Sequence, residues 1–314
     1  MTLKCETMNL NSPIGTFTSR MNRLAFTLIV LLATLTGVRA QDLEVLKVEV
    51  DLVTVNVAVT DRGKRPITGL RASDFRVKEE GLPVELEFFD ADGPASIVFV
   101  IDSSASMGNE RWKKLRAGLK KFLAKARADN DYSLIAFGDQ AQLLAQTVNS
   151  AELWLAFNKL KAAGNTALYD GVLLGLDALK LARQRRRALV VLSDGQDNSS
   201  RATLLEVQRD AAIRRATIYS VGVRVGESYA HRRNFEVAGE EILERLAATT
   251  GGLSSFPNPD EIPTVLSKIN ADITSQYTLG YYAPGEEPGL RSLEISVVST
   301  AHLSLRYQQR YLKR

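Results

Sequence analysis

Three short polar segments hold the groups that could do chemistry in this 314-residue chain: Asp102-Ser103-Ser104-Ala105-Ser106, Gly164-Asn165-Thr166 and Ser193-Asp194-Gly195. They offer carboxylates and hydroxyls, so the side-chain donors that matter are all oxygen. Such a set suits a hard cation such as Mg²⁺, which keeps water or accepts a further ligand oxygen in its octahedron. Zinc would require nitrogen or sulfur, absent from these positions. Two histidines and one cysteine in the whole chain argue against cysteine proteases, zinc sites and redox dithiols.

For these groups to converge they must lie beyond the carboxyl ends of the strands of one open sheet, where ligands bind: Asp102–Ser106 and Ser193–Gly195 follow strands, and Gly164–Thr166 opens the helix from Ala167. Ile97-Val98-Phe99-Val100-Ile101 is an unbroken apolar run, as expected of a parallel strand buried on both faces, and it delivers Asp102. A helix pattern over 112–126 follows, with Leu115, Leu119, Phe122 and Leu123 on one face and lysines on the other. Strands are then expected at 132–137, 142–148, 188–192, 218–223 and 253–256, and helices at 151–160, 167–182, 203–216, 240–249 and 260–273. This alternation predicts an α/β fold with a doubly wound, mostly parallel, Rossmann-like sheet.

The flanks read differently. Val48 and Val50, then Val53, Val55, Val57 and Val59, alternate with a phase slip at Leu52-Val53 that suggests a bulge. Further strands are expected at 75–78 and 84–89, and the chain ends in alternating segments at 277–282, 293–297 and 303–307. Each flank is thin alone, so the economical arrangement pairs them into one β-sandwich with the α/β domain inserted. The expected divisions are a leader at 1–40, sandwich strands at 41–95, the α/β domain at 96–274 and completing strands at 275–314.

The polar segments resemble the metal-ion-dependent adhesion site of the von Willebrand factor A domain family. The D-x-S-x-S pattern matches at Asp102, Ser104 and Ser106, the loop threonine at Thr166 and the D-G turn at Asp194-Gly195. Ala105 stands where many relatives have glycine and removes no ligand. The resemblance covers about residues 96–274. The flanking Gly69-Leu70…Asp74-Phe75 and Tyr277-Thr278-Leu279-Gly280-Tyr281-Tyr282 resemble the bacterial exported, acidobacterial-type subfamily. What this implies is a non-catalytic, adhesion-type protein-binding module holding Mg²⁺ or Mn²⁺ on Asp102, Ser104, Ser106, Thr166 and Asp194, with Asp102 or Asp194 acting through water. A protein partner would complete the metal shell with a carboxylate. By the same analogy, the helix at 260–273 would shift on ligation and tilt the sandwich.

Plainer readings stand beside this one. Ser104, Ser106 and Thr166 could cap helices, Asp194-Gly195 could be an ordinary turn, and Asp170 and Asp197 read as capping or supporting groups. Asp139 reads as a hairpin residue, and Arg185-Arg186-Arg187 as a solvated turn before a strand. The metal could merely stiffen the loops of a structural envelope component. Phosphoryl transfer on Asp102 lacks the second acid, since Ser104 stands two residues on. A serine hydrolase needs a base at a strand end, and neither His231 nor His302 is expected there.

The first forty residues read as a secretory leader: basic Met21-Asn22-Arg23, an apolar stretch from Leu24 to Leu35, and small residues before Gln41. Met21 is an alternative start, and an uncleaved anchor the alternative fate. Cleavage would remove Cys5 with four basic residues and one acidic residue, leaving 36 basic and 35 acidic side chains. The near-neutral remainder gives no nucleic-acid footprint, and no stable membrane span is expected in it. The expected location is periplasmic, secreted or on the cell surface.

Overall fold

Alternating valines decide the first strand. Val53, Val55, Val57 and Val59 are buried and form one face of β1 (Leu52–Thr60). The computed structural model describes residues 52–223, 230–285, 287–299 and 302–313, excluding the side chains of Ser106 and of residues 230–238. The expected leader and the Val48–Val50 stretch lie outside the described residues.

Three short strands follow: β2 (Phe75–Glu79), β3 (Leu82–Val84) and β4 (Phe88–Asp90). The stretch 84–89, expected as one strand, is broken. β3 pairs with β2, whereas β4 belongs to the other antiparallel sheet, so the chain crosses between sheets at Leu86.

The apolar run becomes β5 (Ala95–Asp102), and all eight residues are buried. Ile97, Phe99 and Ile101 enter one core while Val98 and Val100 enter the core on the other face. After β5 come α1 (Gly108–Ala124), β6 (Asp131–Phe137), β7 (Ala141–Val148), α2 (Ser150–Asn158) and α3 (Leu168–Ala178). Then follow β8 (Arg186–Ser193), α4 (Leu204–Arg214), β9 (Thr217–Gly222), α5 (Ala230–Ala248), β10 (Ser254–Ser255) and α6 (Ile262–Ser275). The six-stranded sheet has the order β10-β9-β8-β5-β6-β7, parallel except for β7. This is the doubly wound architecture expected, with helix ends shifted by a few residues and α5 beginning ten residues earlier.

The chain then returns to antiparallel strands: β11 (Tyr277–Tyr282), β12 (Gly289–Val297), β13 (Ser304–Arg306) and β14 (Arg310–Lys313). Two four-stranded sheets, β13-β1-β11-β4 and β14-β12-β2-β3, share one core built from both flanks. No bulge occurs at Leu52-Val53, which pair consecutively with Tyr282 and Tyr281. The segment expected at 303–307 is the shorter β13, and β14, which the alternation did not suggest, lies in the other sheet. Tyr277 explains why the flanking motifs sit together. Its hydroxyl accepts from Leu70 N (3.1 Å) and donates to Ile67 O (2.9 Å), and its ring packs 5.2 Å from Phe75.

Where the two parts meet, polar residues do the joining. Asn56, on the face of β1 opposite the valines, donates to Arg187 O (3.2 Å) and Thr217 Oγ1 (3.4 Å), at the starts of β8 and β9. The arginine run is therefore not a solvated turn. Arg185 lies over the Phe88 ring (4.8 Å), and Arg186, 1% exposed, donates to Gly93 O (2.6 Å). Arg185 keeps its exposed position, Arg187 is half-buried, and Arg186 is buried at the junction between layers, where desolvation lowers its pKa.

Asp272 on α6 is the charged member of this junction. Its carboxylate accepts from Tyr219 Oη (2.6 Å) and Arg306 Nη2 (2.5 Å), and Gln276 Nε2 donates to the same tyrosine (2.8 Å). Removing one partner of a buried pair leaves an uncompensated charge, at a cost larger than the pair's net worth. Arg306→Met is expected to lower the urea-unfolding free energy by about 2–3 kcal/mol, and adding Asp272→Asn to recover part of that loss. Strictly additive losses in the double variant would contradict the coupling.

Candidate metal centre

Asp102 is the last residue of a strand buried on both faces, and it has no exposed surface. Its Oδ1 accepts from Ser104 N (2.8 Å) and its Oδ2 from Ser193 Oγ (3.1 Å). Burial pushes the Asp102 carboxyl up to about 6; hydrogen bonds from Ser104 and Ser193 pull it back, and the charge of Asp194 adds to the rise. The carboxylate thus feels a second negative charge while the groups hydrogen-bonded to it are neutral.

Backbone hydrogen bonds lace the three loops together. Ser103 N continues the β5–β6 ladder onto Phe137 O (2.7 Å), Ala163 N donates to Ser103 O (2.7 Å) and Ala105 N to Gly164 O (3.1 Å). These bonds fix the Asp102–Ser106 loop against the loop bearing Thr166. The Thr166 carbonyl accepts from Asn198 N (3.0 Å) and Ser199 N (3.1 Å), and Thr166 N donates to Asn198 Oδ1 (2.9 Å). The second loop is thereby tied to the third, which carries Asp194. Ser193 Oγ bridges Asp102 and Gly195 N (3.1 Å).

The helix-capping alternatives can be tested directly. Ser104 makes no side-chain cap to the short 3₁₀ turn at Ala105–Met107. At the start of α3, Asp197 accepts from Tyr169 N (2.9 Å) and Ser200 Oγ from Asp170 N (3.1 Å). The cap is supplied by the neighbouring loop, and the Thr166 hydroxyl is not consumed in it. Asp170 in turn holds Arg201 N and Ala202 N, so both aspartates are structural. Asp102, Ser104, Thr166 and Asp194 are placed on loops held to one another; the Ser106 backbone lies in the 3₁₀ turn, and its side chain is outside the described residues.

Three contributors were missed or misread from the sequence. Asp139 is more than a hairpin residue: its Oδ1 accepts from Asn165 N (2.9 Å), steadying the Thr166 loop. Ser193, beside Asp194 in sequence, donates its hydroxyl to Asp102 Oδ2. Gly239 on α5 gave no signal, yet a Cβ on it would lie 2.5 Å from Asp194 O, and one on Gly195 would lie 2.2 Å from Gly239 O. Gly195 also has φ +82°, where a side chain is strained. The D-G turn is therefore required twice over, by its conformation and by the helix resting on it.

The donor set fits a hard divalent cation. Two carboxylates come near each other in a buried place, hydroxyls stand beside them, and added positive charge would relieve the cost of burying Asp102 ionised. Among the described residues, no group of three or more His, Cys, Asp or Glu side chains is arranged to hold a metal, so hydroxyls would be needed to fill the shell.

The fold is an open, doubly wound α/β sheet whose crest carries oxygen donors. The family model described as the von Willebrand factor type A domain matches residues 97–196, and that segment of the chain is similar to domains of this type. A solved von Willebrand factor type A structure from Catenulispora acidiphila shares the fold: TM-score 0.50 over 84% of this chain and 72% of that one, at 12% identity. An uncharacterized protein of Synechocystis sp. is 25% identical over 61% of this chain and 46% of its own length. Human inter-alpha-trypsin inhibitor heavy chain H4 is 27% identical over 51% of this chain and 18% of its own. The matches thus span less than half the length of these two relatives.

The burial of Asp102 has a stability consequence whose sign is fixed. Its folded carboxyl titrates near 6 against about 3.9 unfolded, so the folded metal-free chain binds the extra proton between those values. Its stability should fall as pH rises from about 4 to 6 and level off above, a loss on the order of 2–3 kcal/mol from this group. Asp102→Asn should remove that slope and be the more stable protein at neutral pH in chelator. Equal pH slopes for the two proteins in urea titrations would refute this.

Proposed function

We propose that this chain is an exported, non-catalytic protein-interaction module that binds its partner through a divalent cation, Mg²⁺ or Mn²⁺, held on Asp102, Ser104, Ser106, Thr166 and Asp194. The observation that carries this reading is the buried Asp102 carboxylate facing a second carboxylate on loops already laced into place. Preformed loops reduce the ordering cost of capturing an ion. With hydroxyls making up much of the shell, the ion retains positive charge and accepts one further carboxylate, offered by the partner protein. Export follows from the leader reading, and the division at residues 96 and 274 assigns recognition to the α/β domain and its presentation to the sandwich. Among the described residues, no helix is long and apolar enough to cross a membrane.

A non-enzymatic interaction role agrees with the family. It also agrees with the chemistry at the crest, where no imidazole, thiol or amine stands among the proposed ligands to act as a base. His302 is exposed in the segment before β13, at the sandwich. The inter-alpha-trypsin inhibitor heavy chains share the domain but are much longer proteins, so their names lend support only to the class of role.

Calorimetric titration of Mg²⁺ and Mn²⁺ into the chelated chain tests the metal. Saturable binding is expected in the wild type and its loss in Asp102→Ala, with the variant's fold checked by circular dichroism. A folded wild-type chain that binds neither ion would overturn the reading.

A further inference from the structure

A groove of about 510 Å³ opens beside the candidate metal centre. Ser103, between two proposed ligands, forms part of its wall together with Ala163, one residue before the loop that leads to Thr166. From there it runs between the β6–β7 hairpin, at Gln140, Gln142 and Leu144, and the end of α2, where Lys159, Leu160 and Lys161 close it. Ser103 and Ala163 are hydrogen-bonded to each other (Ala163 N to Ser103 O), so the groove borders the loops that bear the proposed ligands.

The lining chemistry describes an occupant. Leu144, 39% exposed, and Leu160 supply apolar surface, while Gln140 and Gln142 can donate to and accept from a peptide backbone. Lys159 and Lys161 are exposed, and neither makes an ion pair among the described residues. Asp139 also lines the groove, but one of its oxygens is engaged by Asn165 N. The neighbouring surface has the same sign. Trp112 of α1 packs 5.7 Å from Phe157 of α2, and α1 exposes Lys113, Arg116, Lys120 and Lys121 while carrying one acid, Glu110. Outside the leader, the basic and acidic residues nearly balance, so this helical layer is a local concentration of positive charge.

We infer that the groove receives an extended acidic segment of the partner protein: one carboxylate completes the metal shell and a second, a few residues away, pairs with Lys159 and Lys161. The inference rests on the metal-dependent reading above and adds the partner's class. The metal would set whether binding occurs, and the lysines would set which acidic segments are preferred, since rim charges contribute more to selection than to raw affinity.

The test is selection of phage-displayed random short peptides on the immobilised chain in Mg²⁺, with parallel selections in chelator and on Asp102→Ala. The key variant is Lys159→Glu/Lys161→Glu, whose exposed side chains leave folding undisturbed. The expected consensus holds one Asp or Glu required for metal-dependent capture and a second acid at a fixed short spacing. On the charge-reversed protein the second position should become basic while the first stays acidic. Peptides from the wild-type selection should bind the reversed protein about tenfold more weakly. A metal-dependent consensus with one acid, identical on both proteins, would overturn the groove proposal and leave the metal reading standing. Capture that survives both chelator and Asp102→Ala would overturn the metal reading and this proposal with it. No enrichment by a chain that binds Mg²⁺ in calorimetry would overturn the groove as a peptide site.

Discussion

A carboxylate enclosed by apolar strands must be neutralised or compensated, and the arrangement at the crest of the sheet follows from how Asp102 meets that demand. β5 is buried on both faces because it lies between β6 and β8 and beneath helices on either side. Its last residue therefore has no water to solvate it. Two neutral donors, Ser104 and Ser193, offset part of the cost, while Asp194 adds to it. Hydrogen bonds alone leave the group with a raised affinity for positive charge, whether a proton or a cation. The laced loops hold the carboxylate in that environment.

The rest of the molecule keeps that end of the sheet clear. Asn56, Arg186 and Arg187 attach the starts of β8 and β9 to the sandwich, so the carboxyl ends of the strands lie at the opposite side of the sheet. α6 passes into β11 through Gln276 alone, a side chain buried and bonded to Tyr219. α6 and the sandwich are thus joined through a single residue. A displacement of that helix would also have to break the bonds of Asp272 to Tyr219 and Arg306, since Arg306 sits on β13. Movement there would be a change between two packed states and not a gradual slide.

Much of this was legible because some patterns have one physical solution. Ile97–Ile101 could only be a strand with two covered faces, and the valines of β1 only a strand with one. Acid and hydroxyl residues after β5 and β8 and before α3 fall on the same side of such a sheet. The misreadings fall where the partner is distant in sequence. Arg185–Arg187 looked solvated because a charge run usually is, but Gly93 and Phe88 came from ninety-odd residues earlier. Gly239 carried no local sign, since its role is to let a turn more than forty residues away approach its backbone. Residues 84–89 alternated well enough for one strand, and only the need to cover two sheets broke them.

The same contrast separates the metal site from its surroundings. Ligand letters are readable because cation chemistry limits the choice of donor, and the fold limits where donors can stand. A groove has no such letters. Gln140, Gln142, Lys159 and Lys161 are ordinary surface residues until β7, the antiparallel edge strand, turns back beside α2 and brings them to one wall. Their meaning comes from adjacency to Ser103, whose backbone joins the loops bearing the proposed ligands. A cation can attract any carboxylate that reaches it. Under the proposed reading, discrimination among acidic partners would come from fixed charges and surfaces around the ion, and the side of the crest with α1, α2 and β7 carries such charges.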